Sequence, residues 1–219
     1  GSVYVAEADN ERVTRWRPGA ARGEVVASGS CPSAVHVDGE GAVYVADAAE
    51  ARVERWPRGG ERGEVVAGGR GEGPGLEQLA VPTGLFVDGA GTVYVAEAGN
   101  HRVTRWAPGA ARGAVVAGGR SQGFLFEQLW CPAGVFVDAG GAVYVADAGN
   151  DRVTCWLPGA DRGEVVAGES MARYRHQTKR GLCGLFVDGE DGVYVTECSL
   201  GRVTLWLPGA AQGRLVAGA

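Results

Sequence analysis

Methionine is almost missing from this chain: Met171 is the only one, and the sequence opens on Gly1-Ser2. The native start is therefore expected to lie elsewhere, so the lack of an amino-terminal targeting signal excludes no compartment. No apolar run approaches the roughly 18 residues that a membrane-spanning helix needs. Helical periodicity is missing at any useful length, which excludes a helical bundle. Chemistry-bearing motifs are missing as well. There is no H-E-x-x-H, no nucleophile elbow and no P-loop. Gly-rich stretches such as Gly68-Gly69-Arg70-Gly71 do not join a strand to a helix, so they are no phosphate cradle. Basic charge is not in excess: the formal net charge is −5, which argues against a dedicated nucleic-acid binder.

Cysteine is sparse and odd in number, at five, and no two form a C-x-x-C pair. Cys31 and Cys131 precede Pro at corresponding places, Cys155 replaces an Arg, and Cys183 and Cys198 are irregular. Corresponding places in separate repeats sit far apart, so no disulfide framework is expected. Thiols used as small packing residues point to a soluble chain in a reducing compartment.

What the chain has in quantity is glycine, at 38 residues, and repetition. Val-Tyr-Val starts at Val3, Val43, Val93, Val143 and Val193, with spacings of 40, 50, 50 and 50. Each copy runs on through an acid and a short turn to Arg-Val-x-x-Trp, ending at Trp16, Trp56, Trp106, Trp156 and Trp206. A Pro-Gly turn and a Val-rich run follow. The pattern predicts four short strands per unit, a to d, placed in the third unit at 83–88, 92–97, 102–106 and 113–117. The connecting turns are too short for crossovers, so neighbouring strands are antiparallel.

One four-stranded meander cannot cover both of its faces. Radial stacking of copies covers them and leaves short edges, which is the β-propeller solution. The expected fold is all-β: a single domain over 1–219 with units near 1–30, 31–80, 81–130, 131–180 and 181–219. The first unit lacks its innermost strand, run a. That predicts either part of a larger ring or an open ring completed by self-association or by a partner's strand, because an open edge must be covered.

Tyr-Val-Ala-Asp-Ala-Gly-Asn-Asp-Arg-Val at 144–153 resembles the signature of the NHL repeat, and 94–103 repeats it with Glu97 and His101. The resemblance implies a propeller used for protein or RNA binding; a few relatives are lyases with a zinc held by His in the channel. Residues 48–51 and 198–201 have lost the Gly-Asn turn, so their loops are expected to differ in shape.

In a meander, the b–c turns and the d–a connections share one face, and that face varies most between copies, so function is expected there. Phe124, Phe126 and Trp130 on one d–a connection are either an exposed anchor or a small satellite core. The 171–180 stretch of another d–a connection carries Arg173, Tyr174, Arg175, His176, Lys179 and Arg180 without an acid; it is either a solvated loop or a site for RNA or an anionic ligand. Asp147, Asn150 and Arg152, with Glu97, Asn100 and Arg102, recur from blade to blade and are expected to hold the b–c turns. His36, His101 and His176 sit at non-equivalent positions, with His36 replacing a Phe of other copies. The expectation is a non-catalytic scaffold that binds a protein partner, with no cofactor and no metal; a metal-dependent lyase or hydrolase is the weaker alternative.

Overall fold

The structure is a computed structural model that describes residues 1–168 and 181–218. Its strands fall into five antiparallel sheets, the blades of a five-bladed β-propeller. Blade 1 has three strands, β1 (Val3–Glu7), β2 (Arg12–Trp16) and β3 (Glu24–Ser28). Blade 2 has β4 (Pro32–Val37), β5 (Val43–Asp47), β6 (Arg52–Trp56) and β7 (Glu64–Gly68). Blade 3 has β8 (Pro82–Val87), β9 (Val93–Glu97), β10 (Arg102–Trp106) and β11 (Ala114–Gly118). Blade 4 has β12 (Pro132–Val137), β13 (Val143–Asp147), β14 (Arg152–Trp156) and β15 (Glu164–Gly168). Blade 5 has β16 (Leu182–Val187), β17 (Val193–Glu197), β18 (Arg202–Trp206) and β19 (Arg214–Gly218). Strand order follows chain order in every sheet, as short turns require.

The register follows from the repeat. Tyr144 faces Phe136 on one side and Cys155 on the other, and Asp147 faces Arg152. Strands a and b shift register after the residue that opens run a, whether that residue is Pro132 in blade 4 or Leu182 in blade 5. The a–b turns are tied by their Asp: in blade 4 the Asp138 carboxylate accepts the Ala142 N–H at 2.9 Å.

The chain divides into two compact units, 1–95 with 105–114, and 96–104 with 115–219. The first has a core built on Tyr44, Val53, Leu79, Leu85, Val95 and Trp106. A second cluster around Val13, Val43 and Val45 covers blade 1. The second unit is centred on Tyr144, Val153, Leu182, Val195 and Trp206. Each strand-c Trp lays its indole against a glycine that precedes strand d. A Cβ on Gly163 would lie 2.6 Å from Trp156 Nε1, so the bare backbone makes room for the indole.

Two sequence expectations are corrected here. The b–c turns keep one shape despite losing Gly-Asn. Residues 198–200 form the same short 3-10 turn as 148–150, and the residue after each turn is left-handed: φ is 59° at Gly201, 49° at Asp151 and 48° at Ala51. In blade 2 the acid before the turn holds it, with Asp47 Oδ1 accepting the Ala49 and Glu50 N–H, while in blade 5 Glu197 pairs with Arg202. Cys183 and Cys198, expected to be free thiols, form a disulfide with Cα atoms 6.2 Å apart. Neither has a counterpart cysteine in another blade. They are different positions of one blade, the first strand and the b–c turn, which the meander brings side by side.

Candidate functional site

The site grows from the acid that ends strand b. In blade 4, Asp147 is fully buried and lies between the b–c turn and the connection that enters the blade. Its Oδ2 accepts Asn150 Nδ2 and Arg152 Nε, both at 2.8 Å, and its Oδ1 accepts the Trp130 N–H at 2.7 Å. Burial pushes the Asp147 carboxyl above its ordinary range, while these three donors pull the other way.

Arg152 then organises the whole β11–β12 connection. Its Nη1 donates to Phe124 O at 2.8 Å, and its Nη2 donates to Leu125 O at 2.9 Å and to Gln128 O at 3.0 Å. Asn150 Nδ2 also reaches Gly123 O at 2.8 Å. Gly149 donates its N–H to Trp130 O at 2.8 Å, and its missing Cβ leaves space for the Trp130 ring. Leu129 is fully buried beneath the loop. The backbone of 123–130 is thus fixed by charge-assisted hydrogen bonds, which are stronger than neutral ones.

The side chains that this backbone carries point outward. Phe124 is 62 % exposed, Phe126 38 % and Trp130 37 %, with Leu125 beside them. The structure exposes these three side chains instead of tucking them under the loop; Leu129, which sequence reasoning did not single out, is the residue buried there. The connection is not confined to the b–c face. The Gly163 N–H, at the c–d turn, donates to Phe126 O at 2.8 Å. The equivalent connection before blade 3 does the same, with the Gly113 N–H on Leu76 O at 2.7 Å.

The other repeated residues form similar clusters. Glu97 accepts Asn100 Nδ2 at 2.6 Å, Arg102 Nε at 2.9 Å and Thr104 Oγ1 at 2.7 Å. Sequence reasoning missed the threonine. Thr154 accepts Trp156 Nε1 at 3.0 Å, and Thr204 both donates to Glu197 and accepts Trp206 Nε1. The signal was present: Thr stands two residues before Trp in four of the five copies. Blade 2 has Glu54 there, and Trp56 Nε1 has no partner.

The basic run Arg173, Tyr174, Arg175, His176, Lys179 and Arg180 lies outside the described residues. His36 packs edge-on against Phe86, with centroids 5.1 Å apart, and burial lowers its pKa. His101 accepts the Cys131 N–H on Nδ1 at 3.2 Å. Among the described residues no three His, Cys, Asp or Glu side chains group as a metal site. None of their helices is long and apolar enough to cross a membrane.

The NHL repeat family matches residues 129–156, the stretch from Leu129 through Asp147 and Arg152 to Trp156. Residues 129–156 are an NHL repeat, set in a five-bladed β-propeller. Solved propellers share the fold at low identity. A nidogen/laminin complex structure superposes with a TM-score of 0.73 at 16 % identity, covering 97 % of this chain and 73 % of that chain. A catalytically inactive virginiamycin B lyase from Staphylococcus aureus with quinupristin gives 0.66 at 12 %, covering 99 % and 65 %. A streptogramin B lyase gives 0.65 at 9 %, covering 99 % and 64 %. This chain therefore spans just under two thirds of the lyase chains. No curated protein matches its sequence.

Proposed function

We propose that this propeller is a non-catalytic protein-binding module whose contact surface is the β11–β12 connection. The observation that carries the reading is Phe124, Phe126 and Trp130 exposed on a backbone clamped by Arg152. Exposed aromatics are the residue types that dominate interface energies. A preformed loop has little ordering entropy left to lose on binding, so more of the contact energy is realised as affinity. The likeness to a propeller solved in a protein–protein complex supports the same reading.

The test is recovery of a partner by the intact chain compared with Phe124→Ser and Trp130→Ser, each checked for an unchanged melting temperature. A specific protein recovered by the wild type and reduced at least tenfold with the folded variants is expected. Equal recovery by all three sinks the reading. RNA or anionic-ligand binding through residues 173–180 is the alternative, and salt-dependent binding that leaves Phe124→Ser unaffected would favour it.

A further inference from the structure

Three arginines meet where blade 1 adjoins blade 2, and two of them break the repeat. Arg17 stands where the later copies have Pro57, Ala107, Leu157 and Leu207. Arg58 stands where the other copies have Pro18, Pro108, Pro158 and Pro208. Neither charge is needed to close the c–d turn. The Gly60 N–H donates to Pro57 O at 2.8 Å in blade 2, and the Ala160 N–H donates to Leu157 O at 2.9 Å in blade 4.

Arg15, Arg17 and Arg58 line a cavity of about 350 Å3 between β3 and the c–d turn of blade 2, together with Glu24, Val25 and Gly60. All six belong to the first compact unit. Glu24 sets two of the guanidinium groups side by side: its Oε2 accepts Arg15 Nη2 at 2.7 Å and Arg17 Nη2 at 3.3 Å. Arg15 is the inner member, with a side chain 19 % exposed and a buried Nε that has no hydrogen-bond partner among the described residues. Arg17 is the outer one, at 66 %. Arg58 comes from the facing turn. Its Cδ lies 3.2 Å from where a Cβ on Gly41 would sit, so its stem rests on the a–b turn of blade 2. It makes no ion pair among the described residues.

Three cations thus share one carboxylate, in a chain whose net charge is −5. Like charges gathered this way repel, so packing alone does not account for them. Walls of low dielectric concentrate the positive potential of such a cavity and draw an anion in. Guanidinium forks match phosphate oxygens in pairs, and a phosphate near its dianionic form balances the excess positive charge.

We propose that this cavity binds a phosphate group, either free phosphate or the phosphomonoester of a small ligand. Arg15, Arg17 and Arg58 are its donors, and Glu24 holds the first two in place. The proposal uses none of residues 173–180 and is independent of the protein-binding reading.

The test is calorimetric titration of the intact chain at low ionic strength, with inorganic phosphate in one arm and phenyl phosphate in the other. Saturable one-to-one binding is expected. Arg17→Leu copies Leu157 and Leu207, which are exposed in their own blades, and Arg58→Ala trims an exposed side chain. Each is expected to weaken binding at least tenfold at an unchanged melting temperature. Arg62→Ala removes an exposed arginine of the same turn that does not line the cavity, and it should leave binding unchanged. Tighter binding of phenyl phosphate assigns the group to a monoester, and tighter binding of inorganic phosphate assigns it to the free ion. Absence of saturable binding in both arms overturns the proposal. So does equal weakening by Arg62→Ala, which marks a general charge effect, and so does acetate binding as tightly as phosphate.

Discussion

Arg152 donates from Nε to Asp147 Oδ2 at 2.8 Å, and both side chains are buried. This pair joins the fold to the surface. Asp147 secures the turn and Trp130, and the rest of the guanidinium holds the loop that displays the aromatics. Removing one partner leaves a buried charge and several carbonyls unanswered. Arg152→Met is expected to cost about 3–5 kcal/mol of stability. Denaturant unfolding measures it, and amide exchange should quicken across 123–130. A loss below about 1 kcal/mol would show that the pair holds nothing.

The glycine beneath each indole gives a cleaner steric test. Gly163→Ala puts a Cβ 2.6 Å from Trp156 Nε1 and is expected to cost about 1–3 kcal/mol through overpacking. Gly189→Ala is the control. Nothing lies within 4 Å of a Cβ there and its φ is not left-handed, so the change should be neutral or slightly stabilising. Thermal melts of the two variants should move in different directions or by clearly different amounts.

His36 gives the chain a pH dependence. Burial lowers its pKa in the fold, so the unfolded chain binds the proton more readily. The neutral ring's contribution is complete above the unfolded value of about 6.5 and is lost as pH falls through the lowered folded value. Stability should therefore drop on acidification below about 6.5. His36→Phe matches Phe86, Phe136 and Phe186 and should flatten that part of the profile. An unchanged slope would place the titrating group elsewhere.

The Cys183–Cys198 bridge closes a span of 15 residues across β17. Breaking it by Cys183→Ser with Cys198→Ser is expected to lower stability by about 2–4 kcal/mol. Peptide mapping without reductant should recover the linked pair, and recovery of both as free thiols would contradict the pairing.

The repeat made the blades legible because four short strands with tight turns leave a meander as the one way to pair. Val-Tyr-Val and Arg-Val-x-x-Trp fixed strands b and c to within a residue. The role of Asp147 was legible only as a turn holder. Its grip on Trp130 comes from a connection 17 residues earlier in the chain, and no local pattern records that distance. Phe124 and Leu129 are both apolar in sequence, yet one is exposed and the other buried. Their sorting depends on Arg152 fixing the loop backbone, which is tertiary information. The Cys183–Cys198 pairing was hidden for a similar reason, since neither residue recurs in the other copies.

The most direct measurement places a photo-crosslinking amino acid at position 124, and for comparison at position 189 in the a–b turn of blade 5. A single protein adduct from position 124, missing from position 189, is the expected result. No protein adduct from 124, or the same adduct from both positions, would contradict a binding surface centred on the β11–β12 connection.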